Sequence, residues 1–228
     1  INFKDNIQLK NVYFKYNENS EIVKNLNLVI NKYDVIGIYG ESGSGKSTLI
    51  NILTCLLKIN KGKIIVDGKD LNELSIIRKY QNLFSITSQD TFLIDGTLKD
   101  NIIFGSDKSY SETRIEDSIK FASLNNFVNS LELGLDTHIG STIKQLSSGQ
   151  KQRIAIARSI YSDREILIFD EATNALDNEN EKIIMKNIKD LISKKTIIII
   201  SHNQDNLKIC KRLFSIQKNE IIEKKVNN

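Results

Sequence analysis

A glycine-rich segment between two apolar stretches constrains the fold of this chain more than any other feature. Residues 35–39 are typical of a buried parallel strand, and residues 49–53 favour a packed helix. Between them stand Gly40, Glu41, Ser42, Gly43, Ser44, Gly45, Lys46, Ser47 and Thr48. Glycines let the backbone curl until several N–H groups converge on one anion, and the helix start adds partial positive charge. The segment therefore predicts a loop that binds the phosphates of a nucleotide.

Two side chains of this loop and two later carboxylates predict the chemistry. Lys46 is expected to reach the β- and γ-phosphates, and the Ser47 hydroxyl to bind Mg²⁺. Residues 166–169 form another apolar run that ends at Asp170 and Glu171, where open α/β sheets place their ligands. Asp170 is a predicted Mg²⁺ ligand, and Glu171 a predicted general base for an attacking water. An exposed acidic turn would show the same local pattern, but the phosphate loop upstream favours the catalytic interpretation.

The composition indicates the class of protein but does not identify a binding partner. The 228 residues are 40% hydrophobic and 26% charged, which is ordinary for a soluble globular protein able to bury its own core. A net charge of +4 is small at this size, so no nucleic acid partner is expected. No run of eighteen apolar residues occurs, and the first residue is Ile1. We therefore expect a part of a longer chain that does not itself span a membrane.

The order of apolar patterns predicts an α/β fold with a helical insertion. Residues 7–14 and 22–30 alternate as antiparallel strands do, and residues 63–68 predict a strand ending in an Asp-Gly turn. The pattern is helical from about Thr97 to Tyr161, with a predicted capping box at Ser109 and Glu112 and a short helix over residues 124–131. Strands return at residues 166–170 and 196–200, with a helix between them.

A set of motifs resembles the ATP-binding cassette (ABC) family along nearly the full chain. Residues 146–150, Leu-Ser-Ser-Gly-Gln, look like its signature motif, and residues 170–177 resemble the acidic segment that follows it. The resemblance implies the ABC-ATPase variant of the P-loop NTPase fold, with a RecA-like core, a small antiparallel β-lobe and an all-helical subdomain. It implies one nucleotide-binding domain over residues 1–228, with the β-lobe and core in 1–88 and 162–228 and the helical subdomain in 89–161.

The resemblance also implies residue roles and the cofactors ATP and Mg²⁺. Tyr16 matches the aromatic residue that stacks on adenine, with Tyr13 as a weaker candidate. Gln89 matches the glutamine that meets Mg²⁺ and the attacking water and hinges the helical insertion, and His202 matches the histidine at the γ-phosphate. The implied catalytic residues are Lys46, Gln89, Glu171 and His202, and the implied Mg²⁺ ligands are Ser47, Gln89 and Asp170. Nucleotide contacts are implied for Tyr16, Gly40, Ser42, Gly43, Ser44, Gly45, Lys46, Ser47, Thr48 and Gln89.

The family pattern implies that one chain is not sufficient. Ser147, Ser148, Gly149 and Gln150 would contact the γ-phosphate held by a second copy, and Asp177 would cross to that copy. Two copies would close around two ATP molecules, head to tail. Ser148 replaces a usual glycine: its side chain would crowd the partner's phosphate, or its backbone is helical and tolerates serine, and we favour the second. Asn174 stands where serine is common, which we expect to be a mild change.

Residues 95–105 resemble a stretch of exporter-type cassettes, which are usually fused behind a membrane domain. The overall likeness is greatest to bacterial flippases of lipid-linked oligosaccharides, then to peptide or bacteriocin exporters. This implies a transmembrane domain preceding residue 1 and a place at the cytoplasmic face of the cell membrane. Residues 139–143 lack the acidic-basic pair usual in exporters. The alternative is a soluble ABC ATPase of DNA repair or translation, which the single cassette and the lack of heptads between Lys46 and Leu146 disfavour.

Overall fold

The computed structural model describes residues 3–17, 21–71, 74–140, 146–217 and 220–224. Its strands are β1 (Asn6–Lys15), β2 (Glu21–Asn31), β3 (Val35–Tyr39), β4 (Lys61–Val66), β5 (Lys69–Asp70), β6 (Phe84–Thr87), β7 (Ile166–Asp170), β8 (Thr196–Ile200), β9 (Arg212–Gln217) and β10 (Glu220–Lys224). Its helices are α1 (Lys46–Leu53), α2 (Leu74–Gln81), α3 (Leu98–Ile103), α4 (Glu112–Phe121), α5 (Asn125–Asn129), α6 (Ser148–Tyr161), α7 (Asn178–Lys189) and α8 (Gln204–Leu207), with a 3₁₀ turn at Gly134–Asp136. None of these described helices is long and apolar enough to cross a membrane.

A four-stranded sheet in the order β2-β1-β4-β5 contains the predicted antiparallel strands. β1 pairs antiparallel with β2 and with β4, and its Ile7 and Leu9 are buried while Gln8 between them is not. Residues 67 and 68 join β4 to β5, and both have positive φ, 47° and 79°. Positive φ at both central residues is the geometry of the Asp-Gly hairpin turn that the sequence predicts.

A six-stranded sheet in the order β10-β9-β3-β8-β7-β6 contains the apolar strands. β3 pairs in parallel with β8 on one side and with β9 on the other. Every residue of β8 and the first four of β3 are buried, as expected for parallel strands covered on both faces. In the β3–β8 pairing Ile38 lies opposite Ile200, so the carboxyl ends of these two strands lie side by side. The residues that follow them, Gly40 and His202, therefore share one edge of the sheet.

The chain divides into two compact units, each with its own buried residues. The first contains Ile1–Phe84, Glu165–Ile168 and Ile192–Asn228, and its core joins apolar residues of β1 to β4, β8, β9 and α1. The second contains Ser85–Arg164 and Phe169–Leu191, where α6 packs against α3 and α4. The helical subdomain predicted at 89–161 stays a prediction; the second unit holds that range together with α7 and the acidic segment before it.

The predicted start of α4 is wrong by two residues. The sequence pattern placed a capping box at Ser109 and Glu112, but the helix begins at Glu112 and its N-cap is Ser111. The Ser111 hydroxyl accepts a hydrogen bond from the backbone N–H of Arg114 at 3.3 Å. A cap must precede the helix by one residue for its oxygen to reach the N–H three positions on, and only Ser111 satisfies that spacing. The short helix predicted over 124–131 is also shorter, Asn125–Asn129.

Tyr80 tests the packing beneath α1. Its fully buried hydroxyl donates to the carbonyl of Leu53 at 2.6 Å, and that carbonyl lies at the helix end, where no backbone N–H is available four residues on. We expect Tyr80→Phe to lower the free energy of unfolding by about 1 to 2 kcal/mol, because it leaves a buried carbonyl without its donor. Tyr33→Phe is the control, since Tyr33 is exposed and its change should stay within about 0.5 kcal/mol. Urea unfolding of both variants checks this, and equal losses would contradict it.

Candidate active site

The glycine-rich segment forms the predicted loop between β3 and α1. Gly43 and Gly45 have φ of 77° and 100°, a left-handed backbone that only glycine adopts freely. The Ser44 N–H donates to the Glu41 carbonyl at 3.1 Å, which closes the turn, and Gly45 is the N-cap of α1. The curled backbone and the start of α1 together form a concave set of N–H donors suited to a phosphate.

Lys46 is held by the loop itself. Its ammonium donates to the carbonyls of Gly40 at 2.8 Å and Glu41 at 2.9 Å, and the residue as a whole is only 8% exposed. An ammonium has three N–H donors, and these two bonds use two of them. The charge of Lys46 is thereby fixed at the loop, where a phosphate would need it.

Tyr16 lies next to the loop within the first unit. The residue is 55% exposed, and its ring meets the ring of Phe14 edge to face at 4.8 Å between centroids. Its hydroxyl hydrogen-bonds the hydroxyl of Thr48 at 3.3 Å. Tyr13 is less exposed, within β1. An exposed aromatic face beside the phosphate loop fits a flat adenine ring better than Tyr13 does.

His202 follows β8 and lines the same cavity as the loop. The cavity has a volume of about 1230 Å³, and residues 40–44 form one of its walls. The backbone N–H of Ser201 donates to the Ile38 carbonyl at 3.3 Å, which fixes the segment leading to His202 against the end of β3. The first unit thus brings together the loop, Tyr16 and His202.

The acidic segment lies in the second unit, after β7. Asp170 is the half-buried last residue of that strand, and Glu171 has a left-handed backbone with φ of 52°. The buried side chain of Gln152, from α6, donates to the Glu171 carbonyl at 3.0 Å and accepts from the Ala175 N–H at 2.9 Å. Gln152 therefore fixes both ends of the turn that carries Glu171. Such a turn persists only where its surroundings determine it.

The signature segment begins α6 with a capping box. The Ser147 hydroxyl accepts from the Gln150 N–H at 3.1 Å, and the Gln150 side chain accepts from the Ser147 N–H at 2.9 Å. Ser148 is the first helical residue and is exposed, so its backbone tolerates serine, as we favoured. Gly149 lies against the acidic segment, because a Cβ added there would come within 2.9 Å of the Ala175 carbonyl oxygen.

Asp177 serves as the N-cap of α7. Its carboxylate accepts from the backbone N–H of Asn180 at 2.9 Å and from the Asn180 side chain at 2.7 Å. These two hydrogen bonds hold the pKa of Asp177 below its usual value. The Asn180 side-chain oxygen also accepts from the Ser123 hydroxyl at 2.8 Å and from Arg153 at 3.4 Å. The predicted contact of Asp177 with a second copy stays a prediction.

The three side chains predicted to bind Mg²⁺ all offer oxygen atoms as ligands. Ser47 belongs to the first unit, and Asp170 and Gln89 belong to the second, with Gln89 exposed two residues after β6. Among the described residues there is no group of three or more His, Cys, Asp or Glu side chains that could hold a metal. A hydroxyl, an amide oxygen and one carboxylate fit Mg²⁺, which commonly takes one or two carboxylates and completes its shell with substrate phosphates and water.

Known proteins match the chain along its length. Residues 23–174 match the ABC transporter family. The ATP-dependent lipid A-core flippase of Pectobacterium atrosepticum is 36% identical over 222 residues, which are 97% of this chain and 38% of the flippase. The leukotoxin translocation ATP-binding protein LktB of Mannheimia haemolytica is 38% identical over 96% of this chain and 31% of its own length. A bacterial Atm1-family ABC exporter solved with ATP bound superposes with a TM-score of 0.91 at 29% identity, over 99% of this chain and 39% of that one.

The chain belongs to the ABC transporter family. The predicted fold class is confirmed, and the chain is an ATP-binding, ATP-hydrolysing domain of that family. It spans about a third of the length of the relatives it matches. The roles predicted for individual residues stay predictions. Of the unusual segment at 139–143, the structure describes only Ile139, which is buried, and Gly140.

The sequence alone predicts no hydrogen-bond partner for three polar residues of this ABC domain. Gln152 follows Gly149 by three positions on α6, so it shares a helix face with a glycine in close contact. That spacing is the sequence signal from which the contact of Gln152 with the acidic segment could have been predicted. Asn180 stands three residues after Asp177, the normal distance between a cap and the N–H it accepts. Asn174 was noted only as a departure from the family.

Gly149 tests the contact between the signature and the acidic segment. We expect Gly149→Ala to lower the free energy of unfolding by about 1 to 2 kcal/mol, since its Cβ would meet a backbone oxygen and overpacking typically costs 1–3 kcal/mol. This holds even though alanine favours a helix over glycine by about 1 kcal/mol. Ser148→Ala, at the exposed neighbouring position, is the control and should change stability by less than about 0.5 kcal/mol. Unfolding of the monomer without nucleotide measures both, and an unchanged or raised stability of Gly149→Ala would refute the contact.

Proposed function

We propose that this domain is the motor of a membrane exporter or flippase and that it works as a head-to-tail dimer. The observation that carries the proposal is the glycine-rich loop with Lys46 fixed in it, in a chain of the ABC transporter family. The relatives named above are a flippase, a toxin translocation protein and an exporter, which favours attachment to a membrane domain over a soluble ABC ATPase. The names of these relatives refer to different cargoes. The domain that they share with this chain therefore supplies the energy for transport, and another part of each protein selects the cargo.

The first unit supplies residues that bind the nucleotide. Tyr16 stacks on the adenine, and the backbone of residues 40–45 donates to the phosphates. Lys46 contacts the β- and γ-phosphates, and His202 contacts the γ-phosphate. Loop amides and an ammonium placed before the substrate arrives stabilise negative charge without reorganising during the reaction.

The second unit supplies the residues for the hydrolytic step. Glu171 accepts the proton of the attacking water, and Gln89 orients that water. Asp170 and Gln89, with Ser47 of the first unit, are the proposed ligands of Mg²⁺. When bound, Mg²⁺ would neutralise charge on the β- and γ-phosphate oxygens.

The signature residues serve the ATP of a second copy. The Ser147 hydroxyl accepts a hydrogen bond from Gln150 and keeps its own O–H as a donor. Ser147 and Ser148 are exposed at the N-terminus of the fourteen-residue helix α6, whose dipole favours an anion. A γ-phosphate held by another copy satisfies these donors, so ATP joins the two chains and its hydrolysis separates them. Asp177 completes the contact between the copies.

The domain works at the cytoplasmic face of a membrane, joined to a transmembrane domain that precedes it in the full chain. It spans 31–38% of the length of the flippase and of LktB, which leaves room for such a domain. Opening and closing of the dimer would transmit the energy of hydrolysis to that part. A lipid-linked oligosaccharide is the proposed cargo, with a peptide as the second candidate.

Lys46→Ala tests the phosphate loop. We expect ATP hydrolysis to fall at least about 100-fold, because the variant removes the charge that faces the β- and γ-phosphates. Lys58→Ala is the matched control, since it removes an exposed lysine after α1 and should leave the rate within about twofold. Thermal unfolding of both variants without nucleotide separates a lost contact from a lost fold. A folded Lys46→Ala variant that hydrolyses ATP at the normal rate would overturn the proposal.

Glu171→Gln tests the general base and the dimer together. We expect hydrolysis to fall by about 100-fold or more, because the amide cannot accept the proton from water. ATP binding should persist, so the variant should elute as a dimer on gel filtration with Mg-ATP and as a monomer without nucleotide. The unmodified domain should elute mainly as a monomer, since it consumes the ATP that joins the copies. A Glu171→Gln variant that stays monomeric with saturating ATP would refute the head-to-tail arrangement.

A further inference from the structure

One hydrogen bond to the Glu171 carboxylate has no place in the roles given so far. The side-chain amide of Asn174 donates from Nδ2 to Oε2 of Glu171 at 2.7 Å. A hydrogen bond that ends on a charged oxygen is shorter and about twice as strong as a neutral one, and this distance is in the charged range. Asn174 is itself exposed, so it is not buried there for packing.

The backbone of residues 171–176 aims the Asn174 amide at that carboxylate. The Asn174 N–H donates to the Glu171 carbonyl at 3.2 Å, and the Leu176 N–H donates to the Thr173 carbonyl at 3.0 Å. The turn starts from the left-handed backbone of Glu171 and is held by the two bonds of Gln152. Residue 174 is thus tied by its backbone and by its side chain to the same residue, Glu171.

We propose that Asn174 is a positioning residue that holds the Glu171 carboxylate in one orientation for the attacking water. This rests on the proposed role of Glu171 as the general base. A glutamate has three side-chain torsions, and an amide bonded to one oxygen restricts them before the nucleotide arrives. A carboxylate accepts several hydrogen bonds, so the bond from Asn174 does not remove its capacity to accept a proton. The amide donates and cannot compete for that proton.

Under this proposal, Asn174 is more than the mild departure expected from the sequence. A serine at this position would carry its hydroxyl about one bond closer to the backbone than the Asn174 amide, so with the same backbone it would fall short of a direct hydrogen bond to the carboxylate. Asparagine provides the direct bond. The departure of this chain from the common family residue is a change in how its general base is oriented.

Two substitutions separate this role from a structural one. Aspartate has nearly the shape of asparagine, so a merely structural role predicts that Asn174→Asp keeps more activity than Asn174→Ala. Positioning predicts the reverse, because a second carboxylate against Glu171 repels it or shares its proton. We expect kcat to fall about 3- to 10-fold in Asn174→Ala and about 30-fold or more in Asn174→Asp, out of the 10²–10⁴-fold that a general base contributes. KM for ATP should stay within about twofold in both, as for a group that acts only in the chemical step.

Asn187→Ala is the matched control. Asn187, in the same unit, donates its side-chain amide to the Phe121 carbonyl at 2.9 Å, away from the acidic segment. Its loss should lower the unfolding temperature and leave kcat within about twofold. ATP affinity and unfolding temperature of the two Asn174 variants show that each is folded. If Asn174→Asp is as active as Asn174→Ala or more active, or if both change KM instead of kcat, positioning is refuted.

The Glu171→Gln variant distinguishes a failure of the proposed role of Glu171 from a failure of the positioning role of Asn174. Should Glu171→Gln hydrolyse ATP normally, the role of Glu171 itself is wrong. Should Glu171→Gln be inactive while the Asn174 variants keep a normal kcat, the general base stands and only the positioning role of Asn174 fails.

Discussion

Parallel pairing of β3 with β8 determines where the chemistry of the first unit lies. Because Ile38 is opposite Ile200, the loop after β3 and the segment after β8 leave the sheet at the same edge. β8 is buried along its whole length, so its isoleucines supply the apolar side chains that both covered faces of the strand require beside β3. The positions of Lys46 and His202 thus follow from burying isoleucines, although neither residue belongs to that core.

In the second unit, a buried side-chain amide rather than strand pairing holds the acidic segment in place. Glu171 occupies the left-handed backbone region, which is uncommon for residues other than glycine, asparagine and aspartate. Gln152 satisfies the Glu171 carbonyl and the Ala175 N–H with one side chain, and a buried amide left unpaired would cost free energy. Since Gln152 lies on α6, which starts at the signature, the same helix presents donors outward and orients the acidic segment inward. In the proposed dimer, α6 would therefore link the acidic segment of one copy to the phosphate held by the other.

The sequence could predict what depends on local pattern. Strands of fully apolar residues and the Asp-Gly turn are decided by neighbours within a few residues, and each is found where its pattern indicates. The cap of α4 was misplaced because Ser109 and Ser111 are both capping residues, and only backbone direction chooses between them. The hydrogen bonds of Gln152 reach residues up to 23 positions away, and those of Asn180 reach residues up to 57 positions away. No local sequence pattern predicts contacts at such separations.

Asp177 has one role that the structure shows, as the N-cap of α7, and a second, proposed role in contacting another copy. Within the chain it caps α7, and both hydrogen bonds from Asn180 favour its charged form. A carboxylate that stays charged and exposed can also accept a donor from a second copy, since two oxygens offer about four acceptor sites. The same Asn180 binds Ser123 and lies beside Arg153, which follows the signature on α6. Asn180 thereby connects the N-cap of α7 to the helix that begins at the signature, whether or not a second copy is bound.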